Sequence, residues 1–274
     1  MRLWVRAVAL CLALLSAIPL VAAFGSIDDV RYKLKGSDGN LWGPLLGNGK
    51  VIRGEEHPNT ITFTFDDGPD HRTTPMILDQ LDRFGIKGTF FINGIKFHPR
   101  TAGGEENQAV LRDMYKRGHF VGSHTFAHKD ITALDEEGWR NEIRQVEQVV
   151  ENIIGRRPWL IRPPFGRTSD AANARLAKAG YTVVMWNLDS GDWKAKSALA
   201  LFENTKRVIL GNPKGGVLLF HDTNRSTVEA LPLIIEWIGE HNEARAAMGR
   251  KRLRIVGLDH YVTHKRGRSR ATAF

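Results

Sequence analysis

The sequence predicts an α/β fold: a parallel sheet with helices packed outside it, either open and doubly wound or closed into a barrel. Three observations carry this prediction. Short runs rich in Val, Ile, Thr and Phe alternate with helical stretches along most of the chain. Glycines stand just past several of those helices, where a left-handed cap ends them. Titratable residues gather just after strand upon strand, on the edge where active sites lie in such folds.

The elements follow in order. Thr60 to Phe65 reads as a buried strand, stopped by Gly68-Pro69. Thr74 is placed to cap a helix with Pro75 at its first position; Ile77, Leu78, Leu81 and Phe84 share one face, and Gly85 ends it. Thr89 to Ile92 is a strand, Ala109 to Arg117 a helix ended by Gly118, and Phe120-Val121 a short strand. A long helix from about Asp135 to Ile154 ends at Gly155 and leads to a strand at Trp159 to Arg162. Helix Asp170 to Ala179, strand Tyr181 to Trp186, helix Ala198 to Leu210, strand Gly216 to Phe220, helix Val228 to His241 and strand Leu253 to Val256 complete seven strands and six helices. No glycine-rich dinucleotide fingerprint follows the first strand, which argues against an open nucleotide-binding sheet.

The flanks have a different character. Arg2 and Arg6 precede an apolar run from Ala7 to Leu20, and Val21-Ala22-Ala23 offers a cleavage site, so residues 1–23 read as a signal peptide of an exported protein. An uncleaved membrane anchor is the rival, since the run approaches the roughly 20 residues that span a bilayer. Cleavage would remove Cys11, the only cysteine, leaving neither a disulfide nor a thiolate metal site. Residues 24–58 show no sustained period and read as an irregular arm, 59–262 as the folded domain, and 263–274 as a basic tail. Of 274 residues 42% are hydrophobic and 25% charged, enough for one large domain with a buried core. The formal charge of +9 is concentrated near the end, in Arg250-Lys251-Arg252 and Lys265 to Arg270. Such a tail is usually solvated, and it offers contact with an anionic cell-envelope polymer; an exported chain has no use for nucleic acid.

The polar clusters map onto strand ends. Asp66-Asp67 follow the first strand, His124 and His128 the third, Asp189 and Asp192 the fifth and His221-Asp222 the sixth, while Arg162 ends the fourth. In a parallel sheet or barrel these ends share one face. Two adjacent aspartates repel unless a cation or a shared proton relieves them. Histidines four residues apart on a helical turn present both rings to one ion. With Asp66 or Asp67 they make two His and one Asp, the ligand count of a catalytic site with an open position. Zinc, cobalt, iron or nickel suits such a sulfur-free set.

Over roughly Thr60 to His260 the chain resembles the NodB-homology polysaccharide deacetylases, carbohydrate esterase family 4. The resemblance rests on five motifs in order: Thr-Phe-Asp-Asp-Gly at 64–68, His-Thr-Phe-Ala-His at 124–128, Arg-Pro-Pro-Phe-Gly at 162–166, Asp-Ser-Gly-Asp-Trp at 189–193 and Leu-Phe-His at 219–221. It implies a distorted (β/α)7 barrel of parallel strands with outer helices. It also implies Asp67, His124 and His128 as ligands of one divalent metal ion, zinc first, with cobalt or another divalent ion as substitutes. Asp66 becomes the general base oriented by Arg162, and His221 the general acid held by Asp192 rather than Asp189. Phe165 stands where many members have Tyr, and its backbone N–H would serve the oxyanion.

Trp193 and Leu219 flank these groups and could line a pocket for an acetyl methyl, whereas Phe65 and Trp186 read as core. The polar stretch from Phe97 to Gln108 reads as a loop able to shape a substrate groove. The function expected from the resemblance is removal of the acetyl group from N-acetylglucosamine in chitin, peptidoglycan or exopolysaccharide, with release of acetate. The alternatives are an O-acetyl xylan esterase of the same family and an inactive, metal-bound glycan-binding module.

Overall fold

The computed structural model describes residue 47 and residues 49–263. The signal segment, most of the arm and the basic tail beyond Thr263 lie outside the described residues. Among those described, the chain runs β1 (Val51–Ile52), β2 (Thr60–Gly68), α1 (Thr74–Arg83), β3 (Thr89–Ile92), α2 (Gly104–Lys116) and β4 (Phe120–Ser123). Then comes α3, whose stretches Glu136–Trp139 and Gln145–Ile154 flank a π-helical turn, Arg140–Arg144. The remainder is β5 (Leu160–Ile161), α4 (Asp170–Lys178), β6 (Thr182–Val184), β7 (Leu188–Asp189), α5 (Ala198–Gly211), β8 (Gly215–His221), α6 (Arg225–Ala247), β9 (Arg254–Ile255) and α7 (Asp259–Thr263).

Every strand pairing is parallel, in the order β1-β6-β5-β4-β3-β2-β8-β7, with β9 on the start of β2. The predicted parallel barrel with outer helices is therefore present, and it is distorted in one place. The expected strand Tyr181 to Trp186 is found as β6 alone, Thr182–Val184, and four residues on a further short strand, β7, joins β8 at the other end of the sheet. The linking residues turn amides two apart to opposite walls: Met185 N–H donates to Ile52 O on β1, and Asn187 N–H to Val217 O on β8. Asn187 causes the break, because its side chain accepts from Val217 N–H and donates to Gly215 O in place of a ladder. A Cβ on Gly54 or Gly216 would lie 2.0 Å from Asn187 Oδ1, so only glycine leaves room for this plug.

Alternation along β2 separates two interiors. Ile61, Phe63 and Phe65 face outward and pack with Leu78, Leu81, Leu231 and Ile234 of the covering helices. Thr60, Thr62, Thr64 and Asp66 face inward, and their neighbours in register, Val217, Leu219 and His221, share that side. Phe91, Leu160, Val184, Val217 and Tyr261 fill the lower lumen.

Three local expectations are corrected. The end of the arm is not irregular: Val51 and Ile52 extend the sheet beside Val183 and Val184. The stretch from Phe97 to Gln108 is not one loop, because α2 begins at Gly104, and buried Asn107 donates to Lys96 O. Thr74 does not cap α1; its hydroxyl is committed to Asp222.

Candidate active site

Asp66 and Asp67 are consecutive, and in a regular strand they would face opposite sides. The register against β3 slips here: Asp66 pairs with Phe91 but Gly68 with Ile92, so one residue is surplus. Asp67 is that surplus residue, a β-bulge with φ of 71°. A left-handed backbone at a non-glycine residue costs about 1–2 kcal/mol. It brings both carboxylates to the same imidazole: Asp66 Oδ2 and Asp67 Oδ1 each lie 3.7 Å from His124 Nε2.

His124 and His128 do not sit on a helical turn as the spacing predicts. Their segment is irregular, with Thr125 at φ 67° and His128 at φ 58°, and the loop itself brings the rings to 4.8 Å between centroids. His124 Nδ1–H donates to Arg162 O over 2.7 Å, which leaves Nε2 as a lone-pair donor aimed at Asp67. Burial, aided by the charges of His128 and Arg162 and opposed by Asp67, holds this imidazole down to about 3, so it is neutral, as a ligand must be.

The ligand atoms of Asp67, His124 and His128 all lie within 4.8 Å of one another, the group of this kind found among the described residues. His128 Nε2 is 3.5 Å from Asp67 Oδ1 and His124 Nε2 is 3.7 Å from it. Donors about 2.1 Å from a tetrahedral ion stand roughly 3.4 Å apart, so these two separations fit a zinc-sized cation. The donor set fits as well, two imidazoles and one carboxylate with no sulfur.

Two tethered groups flank this trio. Arg162 is fully buried and reaches across the lumen, donating from NH1 to Asp66 Oδ1 (2.8 Å) and Thr64 Oγ1 (2.9 Å), and from Nε to Val184 O (2.9 Å). Its guanidinium lies over the Phe91 ring, 4.3 Å from the centroid. The Arg162 guanidinium favours the ionised form of Asp66. Burial is the larger effect and leaves the carboxyl above its ordinary value.

On the other flank, His221 Nδ1 lies 2.7 Å from Asp192 Oδ1, and Asp192 Oδ2 also accepts from His221 N–H and from Thr227 Oγ1. Burial would lower the imidazole, but the bond to Asp192 and the charges of Asp192, Asp66 and Asp67 outweigh it and raise it to about 9. Asp189, the other aspartate of that segment, accepts instead from Gly191 N–H. His221 Nε2 faces the trio, 3.9 Å from Asp67 Oδ2.

Phe165 has a left-handed backbone (φ 60°), and its ring, 63% exposed, stands edge-on to His128 at 4.5 Å. Trp193 is equally exposed. Leu219 is buried one inward position below His221. Phe65 is core, as predicted; Trp186 is half-buried and also lies beside Arg162, 5.4 Å from ring centroid to guanidinium.

The family model for polysaccharide deacetylases matches residues 53–184. The chain is 31% identical over 213 residues to a peptidoglycan-N-acetylglucosamine deacetylase of Bacillus cereus, spanning 75% of this chain and 74% of that one. It belongs to the polysaccharide deacetylase family. A chitin deacetylase of Arthroderma benhamiae is 34% identical over 186 residues, 67% of this chain and 48% of that protein. The solved chitin deacetylase of Colletotrichum lindemuthianum superimposes with a TM-score of 0.67 at 25% identity, covering 78% of this chain and 92% of that one. Membership makes the protein a hydrolase of the deacetylase class. The stretch matched by the family model ends before Asp192 and His221, whose pairing is read from the geometry of this deacetylase itself.

Two residues of this deacetylase that shape the site escape a reading of the sequence. Asn93 Nδ2 donates to His124 O (2.7 Å), and its own N–H donates to Gly68 O (2.9 Å), tying the segment of His124 to that of Asp67. Glu142 sits on the π-helical turn of α3; Oε2 accepts from Ala127 N–H (2.8 Å) and its carbonyl from Phe126 N–H (2.9 Å). π-turns recur at functional sites because they free backbone groups for other partners. A signal existed for Glu142: it falls on the same helical face as Trp139, Ile143 and Val146, where a carboxylate needs a reason to be buried.

Proposed function

We propose that this chain is an exported, divalent-metal-dependent deacetylase that hydrolyses the N-acetyl group of N-acetylglucosamine residues in a glycan such as peptidoglycan or chitin. One observation carries the reading: a three-ligand convergence flanked by a carboxylate tethered to a cation, Asp66 on Arg162, and by an imidazole tethered to a carboxylate, His221 on Asp192. The names of the relatives support the substrate class. Export is supported by the basic, apolar and small-residue order of residues 1–23.

Amide hydrolysis requires a base, a stabilised oxyanion and an acid for the departing amine. Asp67, His124 and His128 would hold the ion, zinc before cobalt. When bound it would lower the pKa of a coordinated water toward about 7, polarise the acetyl carbonyl and favour the ionised form of adjacent Asp66. Asp66 takes the proton of the attacking water, with Arg162 fixing its orientation. Oxygen adds to the acetyl carbon, and the Phe165 backbone N–H, presented by the left-handed turn, donates to the oxygen where charge develops. His221 is protonated at neutral pH because Asp192 holds it so, and its Nε2–H passes to the amide nitrogen as the C–N bond breaks. The products are acetate and a glucosamine amine. Trp193 and Leu219 line the approach, the first at the rim and the second beneath His221.

The test is acetate release from N-acetylglucosamine oligomers by zinc-loaded protein, chelated protein and His221→Ala, with acetylated xylan in parallel. Acetate that requires both metal and His221 supports the reading. Release from xylan alone would replace it with the esterase.

A further inference from the structure

Asp222 follows His221 at the end of β8 and has no part in the chemistry above. It is fully buried. Thr74 Oγ1 donates to its Oδ2 (2.6 Å), Thr73 Oγ1 donates to its backbone carbonyl (2.6 Å), and Thr74 Oγ1 accepts in turn from Asp70 N–H (2.8 Å). Its other carboxyl oxygen, Oδ1, has no hydrogen-bond partner among the described residues. A carboxyl so placed is costly unless something else is gained from it.

What it touches is Gly68. A Cβ at Gly68 would lie 2.1 Å from Asp222 Oδ2 and 2.2 Å from Oδ1, so the carboxyl occupies the space where a side chain would begin. Gly68 follows the bulge residue Asp67 directly. A left-handed aspartate persists only where its surroundings over-determine it. Gly68 is held on one side by Asn93 N–H, which donates to its carbonyl, and on the other by Asp222.

We propose that Asp222 is a positioning residue for Asp67: anchored to α1 through Thr74 and packed on Gly68, its carboxyl fixes the bulge that aims the Asp67 carboxylate at His124 and His128. The inference rests on reading those three residues as the cation site. Because Asp222 and His221 are adjacent, the same contact also sets the spacing between the ends of β2 and β8, where Asp67 Oδ2 and His221 Nε2 stand 3.9 Å apart.

Isothermal titration with Zn²⁺, alongside urea unfolding, tests this. Asp222→Ala should weaken Zn²⁺ binding about 10- to 100-fold, the usual size of a supporting-shell loss. Asp222→Asn, which still fills the space and still accepts from Thr74, should retain affinity to within about threefold of wild type. Thr74→Val should fall between them, and Thr74→Ser should restore binding, so Thr74 carries the test if Asp222→Ala does not fold. Unchanged Zn²⁺ affinity in folded Asp222→Ala and Thr74→Val, or a loss confined to the unfolding midpoint, would overturn the proposal while leaving the cation site standing. Wild-type protein that binds no Zn²⁺ would overturn both.

Discussion

Two buried arginines brace opposite ends of the barrel, and they do different things. Arg245, near the amino ends of the strands, gives its guanidinium to Lys251 O (2.7 Å), Pro213 O (3.1 Å) and Asn59 Oδ1 (3.0 Å), neutral acceptors that join α6 to the loops beneath the sheet. Arg162, at the carboxyl ends, also takes backbone and hydroxyl acceptors, but one of its bonds goes to the Asp66 carboxylate. Both are almost wholly withdrawn from solvent. Burial of a charge therefore does not by itself mark a site residue; what sets Arg162 apart is a carboxylate partner, Asp66, that itself faces His124.

The largest expected effect would break that contrast if it failed. Arg162→Met should cost both stability, about 3–5 kcal/mol because Asp66 is left buried without its cation, and most turnover. Arg245→Met should also destabilise, by about 1.5–3 kcal/mol for each hydrogen bond from a charged donor that is not replaced, but with kcat retained. Urea unfolding and acetate release on the same preparations check this, and equal losses of kcat in the two variants would remove the distinction.

Next in size is the proton inventory around the base and the acid. Asp66→Asn should lower kcat by about 10²- to 10⁴-fold, the range of a general base, while Zn²⁺ affinity measured by titration stays near wild type.

Asp192→Asn sharpens the comparison through pH. The folded His221 value of about 9 lies above its ordinary 6.5, so the stabilisation it contributes is complete below pH 6.5 and is lost as pH rises through 9. Wild-type kcat should accordingly fall on the alkaline side near pH 9. In Asp192→Asn that limb should move down toward 6.5, and wild-type stability should decline between these values more steeply than the variant's. A pH–rate profile with an unmoved limb would separate His221 from the acid role.

The smallest effect belongs to the rim. Phe165→Leu should change kcat by less than about tenfold, because its contribution runs through backbone N–H rather than the ring. A larger loss would mean that the ring held against His128 matters to the loop.

Much of this was legible in the sequence for a physical reason: the longest strand and several helices carry their own stop signals, so the alternation survives local ambiguity. Asp66, Asp67, His124, His128, Arg162, Asp192 and His221 stood out with Asp189 and Asp222 as polar groups at strand ends, and the resemblance carried by the five motifs chose among them. What could not be read acts through backbone or through counting. Val51–Ile52 is too short to show a period and gains its strand from β6. Asn187 breaks a run of apolar residues by replacing ladder bonds with its own amide. Asn93 holds a carbonyl, and carbonyls leave no trace in a sequence.

The bulge at Asp67 has a consequence best expressed in codons. A version of this chain lacking one residue between Phe65 and Gly68 would keep the outward face of β2, Ile61, Phe63 and Phe65, and the core it packs on. It would keep an aspartate at the strand end too, yet never bring two carboxylates to one imidazole. If Asp66 and Asp67 act as proposed, activity in this scaffold depends on a tally of residues as much as on their kinds, and a copy short of one codon would carry every other motif while losing the bulge.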